Sequence, residues 1–195
     1  MTKQDRGKNS RFIARCGLIA ALYAALSLLA MVVLQTFSWG PVQLRISEAA
    51  CVLALFTPAA IPGLALGCVL ANSLGMAING TGPLGLLDVV FGSLATGLGS
   101  LWMWRFRHIR PLALAGPVLA NAAIVPAYLP LMLAAFGFYT IPFTNISLSD
   151  SWPAMYLFGI LCIGLGQAIV LYALGWPLAK ALDKSRLTER LADDD

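Results

Sequence analysis

Polar residues in this chain gather into short intervals between long apolar runs. With the Pro, Gly and Asn punctuation, the runs fall near 12–35, 48–60, 61–78, 84–104, 111–137 and 152–179. Each is read as a helix, because a segment in hydrocarbon must bond every backbone N–H and C=O internally. Crossing takes about 20 residues at a rise of about 1.5 Å each. The second run falls short of that, and only TPAAIP separates it from the third. The pattern predicts an all-α integral membrane protein with about six transmembrane helices.

Composition supports this reading: 59% of the 195 residues are hydrophobic, 11% are charged, and the mean hydropathy is +0.80. Such values lie far from those of a soluble domain. The expected organisation is a cytoplasmic tail over 1–11, a single membrane domain over 12–182 and a cytoplasmic tail over 183–195. The basic N-terminus looks like the start of a signal peptide. Its apolar run, Phe12 to Leu34, outlasts the about 7–15 residues of such a core, so it is read as a retained span.

A net charge of +4 raises the possibility of an acidic partner, but membrane topology accounts for it. With the N-terminus inside, the inner segments hold Lys3, Arg6, Lys8, Arg11, Arg15, Arg105, Arg107, Arg110, Lys180, Lys184, Arg186 and Arg190. Arg45 alone lies outside. Both termini are therefore expected in the cytoplasm, and nucleic acid is not needed to explain the basic residues. His108 in the inner loop and the DDD tail read as solvated.

Three ionisable residues remain at membrane depth: Arg45 and Glu48, three apart in GPVQLRISEAA, and Asp88 in LLDVVFGSLATG. Each costs about 2.5–3.5 kcal/mol at a bilayer centre unless a partner, cavity or ligand receives it. Arg45 and Glu48 share a face if a helix begins near Leu44, and an interfacial salt bridge between them is the plain structural alternative. Asp88 has no Lys or Arg nearby in sequence, so its donor must come from another helix or a ligand. All three converge on the outer half of the bundle, which points to a ligand pocket open to the outside. Gln43, Asn72, Asn79, Asn121, Tyr128, Trp152 and Gln167 are weaker candidates, since one amide or aromatic in a span more often ties helices together or anchors at the interface.

In the first helix, Gly17, Ala21 and Ala25 form one ladder of small residues at four-residue spacing, and Ala20 with Ala24 forms a second. Either another helix of this chain or an external partner could pack there. Pro117, Pro126 and Pro130 free carbonyls that a bilayer tolerates only against protein or a wet cavity, and lead to the expectation of a kinked, cavity-lining fifth helix. The four cysteines, Cys16, Cys51, Cys68 and Cys162, stand singly with no metal-site spacing and read as packing residues. The chain carries no nucleophile–base arrangement, HExxH or phosphate loop, so neither a catalytic residue nor a cofactor or metal is expected.

GPVQLRISEA, FTPAAIPGLALGC, LLDVVFGSLATG, GPVLANAAIV and LYALGWPLAKAL together resemble the queuosine precursor transporter (QueT) family, from about Gly40 to Leu182. The resemblance implies a six-helix, multi-pass S component of an energy-coupling factor (ECF) transporter in the bacterial cytoplasmic membrane. It would capture a deazaguanine such as preQ1 or queuine outside, then dock on a T component carrying two ATPases. For such a ligand the chemistry of the ring assigns the contacts: its N–H and amine suit one carboxylate, Glu48 or Asp88, and its carbonyl suits Arg45, with Gln43, Asn79, Asn121, Tyr128 and Gln167 around them. The partner face of S components, an AxxxA pattern, falls on Ala20 with Ala24 and Ala21 with Ala25, beside Gly17. The resemblance also implies acidic residues near Tyr128 and at Gln167, both uncharged here, which leaves a neutral deazapurine open as ligand. A proton-coupled secondary transporter using Asp88 or Glu48 is the alternative from another class. Sequence leaves open whether GMAINGTGP, 75–83, covers the site.

Overall fold

A computed structural model describes residues 3–33, 45–135, 140 and 152–185. Among the described residues, five helices are long and apolar enough to cross a membrane: α1 (Lys3–Val33), α2 (Ala60–Asn79), α3 (Gly82–Arg105), α4 (Arg110–Ala135) and α5 (Trp152–Asp183). Between α1 and α2 lies a short helix, Ile46–Leu55, wound as a 3-10 helix. The protein is thus the all-α membrane bundle that the hydropathy pattern predicts. α1 begins at Lys3, well ahead of the predicted start at 12.

The packing of α1 on α2 shows what the short helix does. A Cβ on Gly63 would meet the Cys16 carbonyl oxygen at 2.9 Å, one on Gly67 the Ala20 oxygen and Tyr23 Cβ at 2.8 Å, and one on Gly75 the Met31 Cε at 2.8 Å. Residue numbers rise together along both helices, so α1 and α2 run parallel and in close contact. Parallel neighbours require the chain to return across the bundle between them, and the short helix makes that return. It runs alongside α5, with Glu48 beside Gln167 and Val52 beside Gly175. At about 2.0 Å per residue a 3-10 helix covers about 20 Å in ten residues, where an α-helix would cover about 15 Å. A segment too short for an ordinary span thereby covers most of the depth.

Protein surrounds this segment on nearly every side. Ser47, Glu48, Ala49, Ala50, Cys51, Val52, Ala54 and Leu55 are all buried, packed among Ile19, Tyr23, Leu64, Met103, Leu114 and Leu171. The lipid-facing surface is carried by the long helices, on residues such as Leu18 and Leu161. α4 continues as a helix through all three prolines, with Pro117 and Pro126 fully buried. Gly99 faces Pro117 and Gly159 faces Pro126, where a Cβ would approach to 2.5 and 2.8 Å respectively. Pro117 and Pro126 therefore pack against neighbouring helices, whose glycines make room for them, where the sequence led to the expectation of a cavity lining.

Residues 75–79 of the GMAINGTGP segment complete α2, which ends on left-handed Gly80 (φ 64°), whose N–H bonds the Met76 oxygen. A tight turn follows into α3. The turn between α3 and α4, with Arg105, Arg107 and Arg110, lies at the same end of the bundle as the end of α5, where Arg110 pairs with Asp183.

The two small-residue ladders of α1 separate. Ala20 and Ala24 are buried, with Ala20 against Gly67 of α2, whereas Gly17, Ala21 and Ala25 are exposed and a Cβ on Gly17 would meet nothing within 4 Å. Gly67→Val should therefore destabilise the detergent-solubilised protein by about 1–3 kcal/mol through overpacking. Gly17→Ala, with open space for its Cβ, should leave stability unchanged or raise it by up to about 1 kcal/mol. Thermal unfolding of both variants checks this, and equal effects would contradict the parallel α1–α2 seam.

Candidate functional site

Asp88 opens a wide π-type turn, Asp88–Gly92, inside α3. Such turns carry one more residue than the α-helical turn and recur at functional sites. Here the Asp88 carbonyl accepts a hydrogen bond from Asn72 Nδ2 of α2 at 2.7 Å. The carboxylate accepts from Arg45 Nη2 on one oxygen at 2.8 Å and from the Tyr128 hydroxyl of α4 on the other at 2.7 Å. The donors that Asp88 lacked in its own stretch of sequence thus come from the start of the short helix and from α4.

The cluster lies at the end of the bundle opposite the basic turn and is partly open: the Arg45 side chain is 21% exposed and that of Asp88 15%. The Phe91 ring, 5.9 Å from that of Tyr128, supplies an aromatic wall. Gly92 keeps the space beneath clear, because a Cβ there would come within 3.0 Å of Asp88 Oδ1 and 3.1 Å of Asn72 Nδ2. Ser93, the next residue along, is buried beside Cys68. A guanidinium, a carboxylate and a phenol thereby meet at a half-open, low-dielectric position, where directional hydrogen bonds to a polar ligand are strong.

Glu48 lies deeper and is only 1% exposed. It accepts hydrogen bonds from the Tyr23 hydroxyl of α1, from Gln167 Nε2 of α5 at 2.8 Å and from Cys51 Sγ at 3.2 Å. Arg45 turns away from it to Asp88, so the alternative of an Arg45–Glu48 salt bridge does not hold: the two charges serve separate levels of the bundle. Cys51 and Cys68 lie in the buried core, and Cys68 accepts from Asn72 at 3.4 Å and Thr96 at 3.5 Å, so these thiols are hydrogen-bonded as well as packed.

Arg45, Asp88 and Tyr128 are therefore brought together, with Glu48 and Gln167 on the level below. Asn121 and Asn79 do not join them. The Asn121 amide bonds back to the Pro117 carbonyl on its own helix at 3.0 Å, and the Asn79 amide to that of Gly75 at 2.8 Å. Gln43 lies outside the described residues. Trp152 is exposed and stacked on Tyr156 at 5.1 Å, as an interfacial anchor would be. Tyr23 and Phe91 went unnoticed in the sequence. Tyr23 had a signal, since a tyrosine in mid-span, away from the interfacial belts, needs a polar partner for its hydroxyl. Phe91 had none among so many apolar neighbours.

A helical bundle that buries a charged cluster on an internal, lipid-shielded segment defines a multi-pass membrane protein with a polar site between its helices. The chain belongs to the QueT transporter family, whose model matches residues 13–184. It is a membrane transporter protein. Comparisons with curated proteins and with solved structures return no match.

The Glu48 network gives a stability test. Glu48→Leu would leave the Tyr23, Cys51 and Gln167 donors without their acceptor, at about 1–3 kcal/mol for each buried group stranded. Glu48→Gln keeps the shape and an acceptor oxygen. The leucine variant should melt well below the glutamine variant in the same detergent, and identical melting would remove Glu48 as the link between α1, α5 and the short helix.

Proposed function

We propose that this protein is the substrate-binding S component of an ECF-type importer and that it captures a planar deazaguanine, such as preQ1 or queuine, at its outer end. The observation that carries the reading is the Arg45–Asp88–Tyr128 cluster, partly open at the end opposite the basic turn. A deazaguanine presents a carbonyl oxygen, a ring N–H and an exocyclic amine along one edge. A carboxylate can accept the two N–H groups together while a guanidinium donates to the carbonyl.

Asp88 is the carboxylate assigned to the ring, because Glu48 is enclosed by its three donors. The heterocycle would take over part of the direct Arg45–Asp88 contact and lie against Phe91 and Tyr128. Tyr128 and Gln167 hydrogen-bond the two carboxylates as neutral donors, so this site carries less negative charge than one with acids at those positions. That charge balance favours a ligand of low positive charge.

The open Gly17, Ala21 and Ala25 face of α1 is assigned to the T component, with Ala20 and Ala24 left to α2. Uptake would then be driven by ATP hydrolysis in two partner subunits, and this chain would perform no catalysis of its own. The deep burial of Glu48 among neutral donors is the one feature that favours proton coupling instead.

Binding of preQ1, queuine and guanine to the solubilised chain tests the site. Asp88→Asn and Arg45→Ala should each weaken binding of the preferred ligand at least about tenfold, the equivalent of about 1.4 kcal/mol, because each removes a charge-assisted hydrogen bond. Unchanged affinity in both variants would sink the proposed pocket. Co-expression with a T component and its ATPases should yield a stable complex. Uptake that ignores ATP depletion but stops with an uncoupler would replace the energy-coupling reading with the proton-coupled one.

A further inference from the structure

At the basic end of the bundle a groove of about 490 Å³ runs between α3 and α4 on the membrane-facing surface. Its walls are apolar, with Leu98 and Leu101 on one side and Leu119 and Ala120 on the other. Its floor is fixed by Trp102, whose indole Nε1 donates to the Leu112 carbonyl at 3.0 Å and whose ring lies where any Cβ on Gly116 would have to go, within 2.4 Å. The groove is therefore a shaped feature set by one tryptophan and one glycine. At its mouth stands Arg105, in the last turn of α3.

The charges around this mouth are unequal. Arg110 is paired with Asp183, and Arg107 lies over the Trp104 ring at 3.9 Å and bonds the Trp104 carbonyl at 3.1 Å. Arg105 has the Phe106 ring at 6.0 Å and no carboxylate partner among the described residues. The sequence supplies no Asp or Glu anywhere between 89 and 149. A guanidinium with no carboxylate partner among the described residues, beside a lipid-facing apolar channel, matches an amphiphile whose acidic head is joined to a hydrocarbon tail.

We propose that this groove is a binding site for one anionic phospholipid, with an acyl chain lying along Leu98, Leu101 and Leu119 and the phosphate seated on Arg105. Zwitterionic lipid fills the same channel without the net charge that Arg105 attracts. The site is separate from the Arg45–Asp88 cluster at the other end of the bundle, and it stands or falls independently of the ligand taken there.

Native mass spectrometry of the full chain in detergent, titrated with phosphatidylglycerol and with phosphatidylcholine of identical chains, reads the preference directly. Wild type should retain phosphatidylglycerol about fivefold more tightly, the equivalent of the about 1 kcal/mol that one basic residue contributes at an anionic headgroup. Arg105→Gln should bring the two lipids level, and Arg105→Lys should keep most of the difference. Ala120→Phe, which fills the channel, should weaken both lipids. If that variant fails to fold, exposed Leu119→Ala should do the same, leaving their ratio unchanged. Equal retention of the two lipids by wild type, or an unaltered ratio in Arg105→Gln, would overturn the proposal, as would full retention in a folded channel variant.

Discussion

The ion pair between Arg45 and Asp88 sets the terms for the rest of the bundle. Neither charge tolerates hydrocarbon alone, so the segment carrying Arg45 must run inside protein and the helix carrying Asp88 must turn its carboxylate inward. The short helix is accordingly enclosed, α3 widens at Asp88–Gly92, and Asn72 and Tyr128 arrive from α2 and α4 to satisfy the remaining acceptors. Glycines allow the helices to come close enough for these bonds: Gly67 brings α2 onto α1, and Gly92 leaves room below the carboxylate.

The long spans could be read in the sequence because each is a run of apolar residues bounded by charge or by Gly and Pro, and in lipid that pattern leaves helix as the only form. The outlying charges were legible for the same reason, since Arg45, Glu48 and Asp88 stand out against such a background. Their pairing was not. Spacing along one helix brings Arg45 and Glu48 together, while the fold sends Arg45 to α3 and Glu48 to α1 and α5, contacts set by helix direction and tilt. Asn121 shows the reverse case: a buried amide in a candidate position is satisfied by the carbonyl one turn back on its own helix.

The two small-residue ladders on α1 were likewise visible as a pair, but periodicity could not say which one the chain uses itself. Packing against α2 decides it, because Ala20 meets Gly67 while a Cβ on Gly17 would meet nothing within 4 Å. The polar residues then order themselves by depth. Arg45 and Asp88 are partly open to one side, whereas Cys68, Thr96, Glu48, Tyr23 and Gln167 are enclosed.

The short helix also bears on how the protein is made. Its ten residues fall well below the about 20 that partition into a bilayer unaided, and two of the residues at its leading end are Arg45 and Glu48. During synthesis α1 can leave the translocon on its own hydrophobicity, but Ile46–Leu55 must wait for partners that cover its charges. Tyr23 of α1 is already in place for Glu48, but the Asp88 partner of Arg45 comes with α3 and the Gln167 donor to Glu48 with α5. A helix this short and charged thus depends for its cover on helices made after it, so the order of synthesis runs against the order of need.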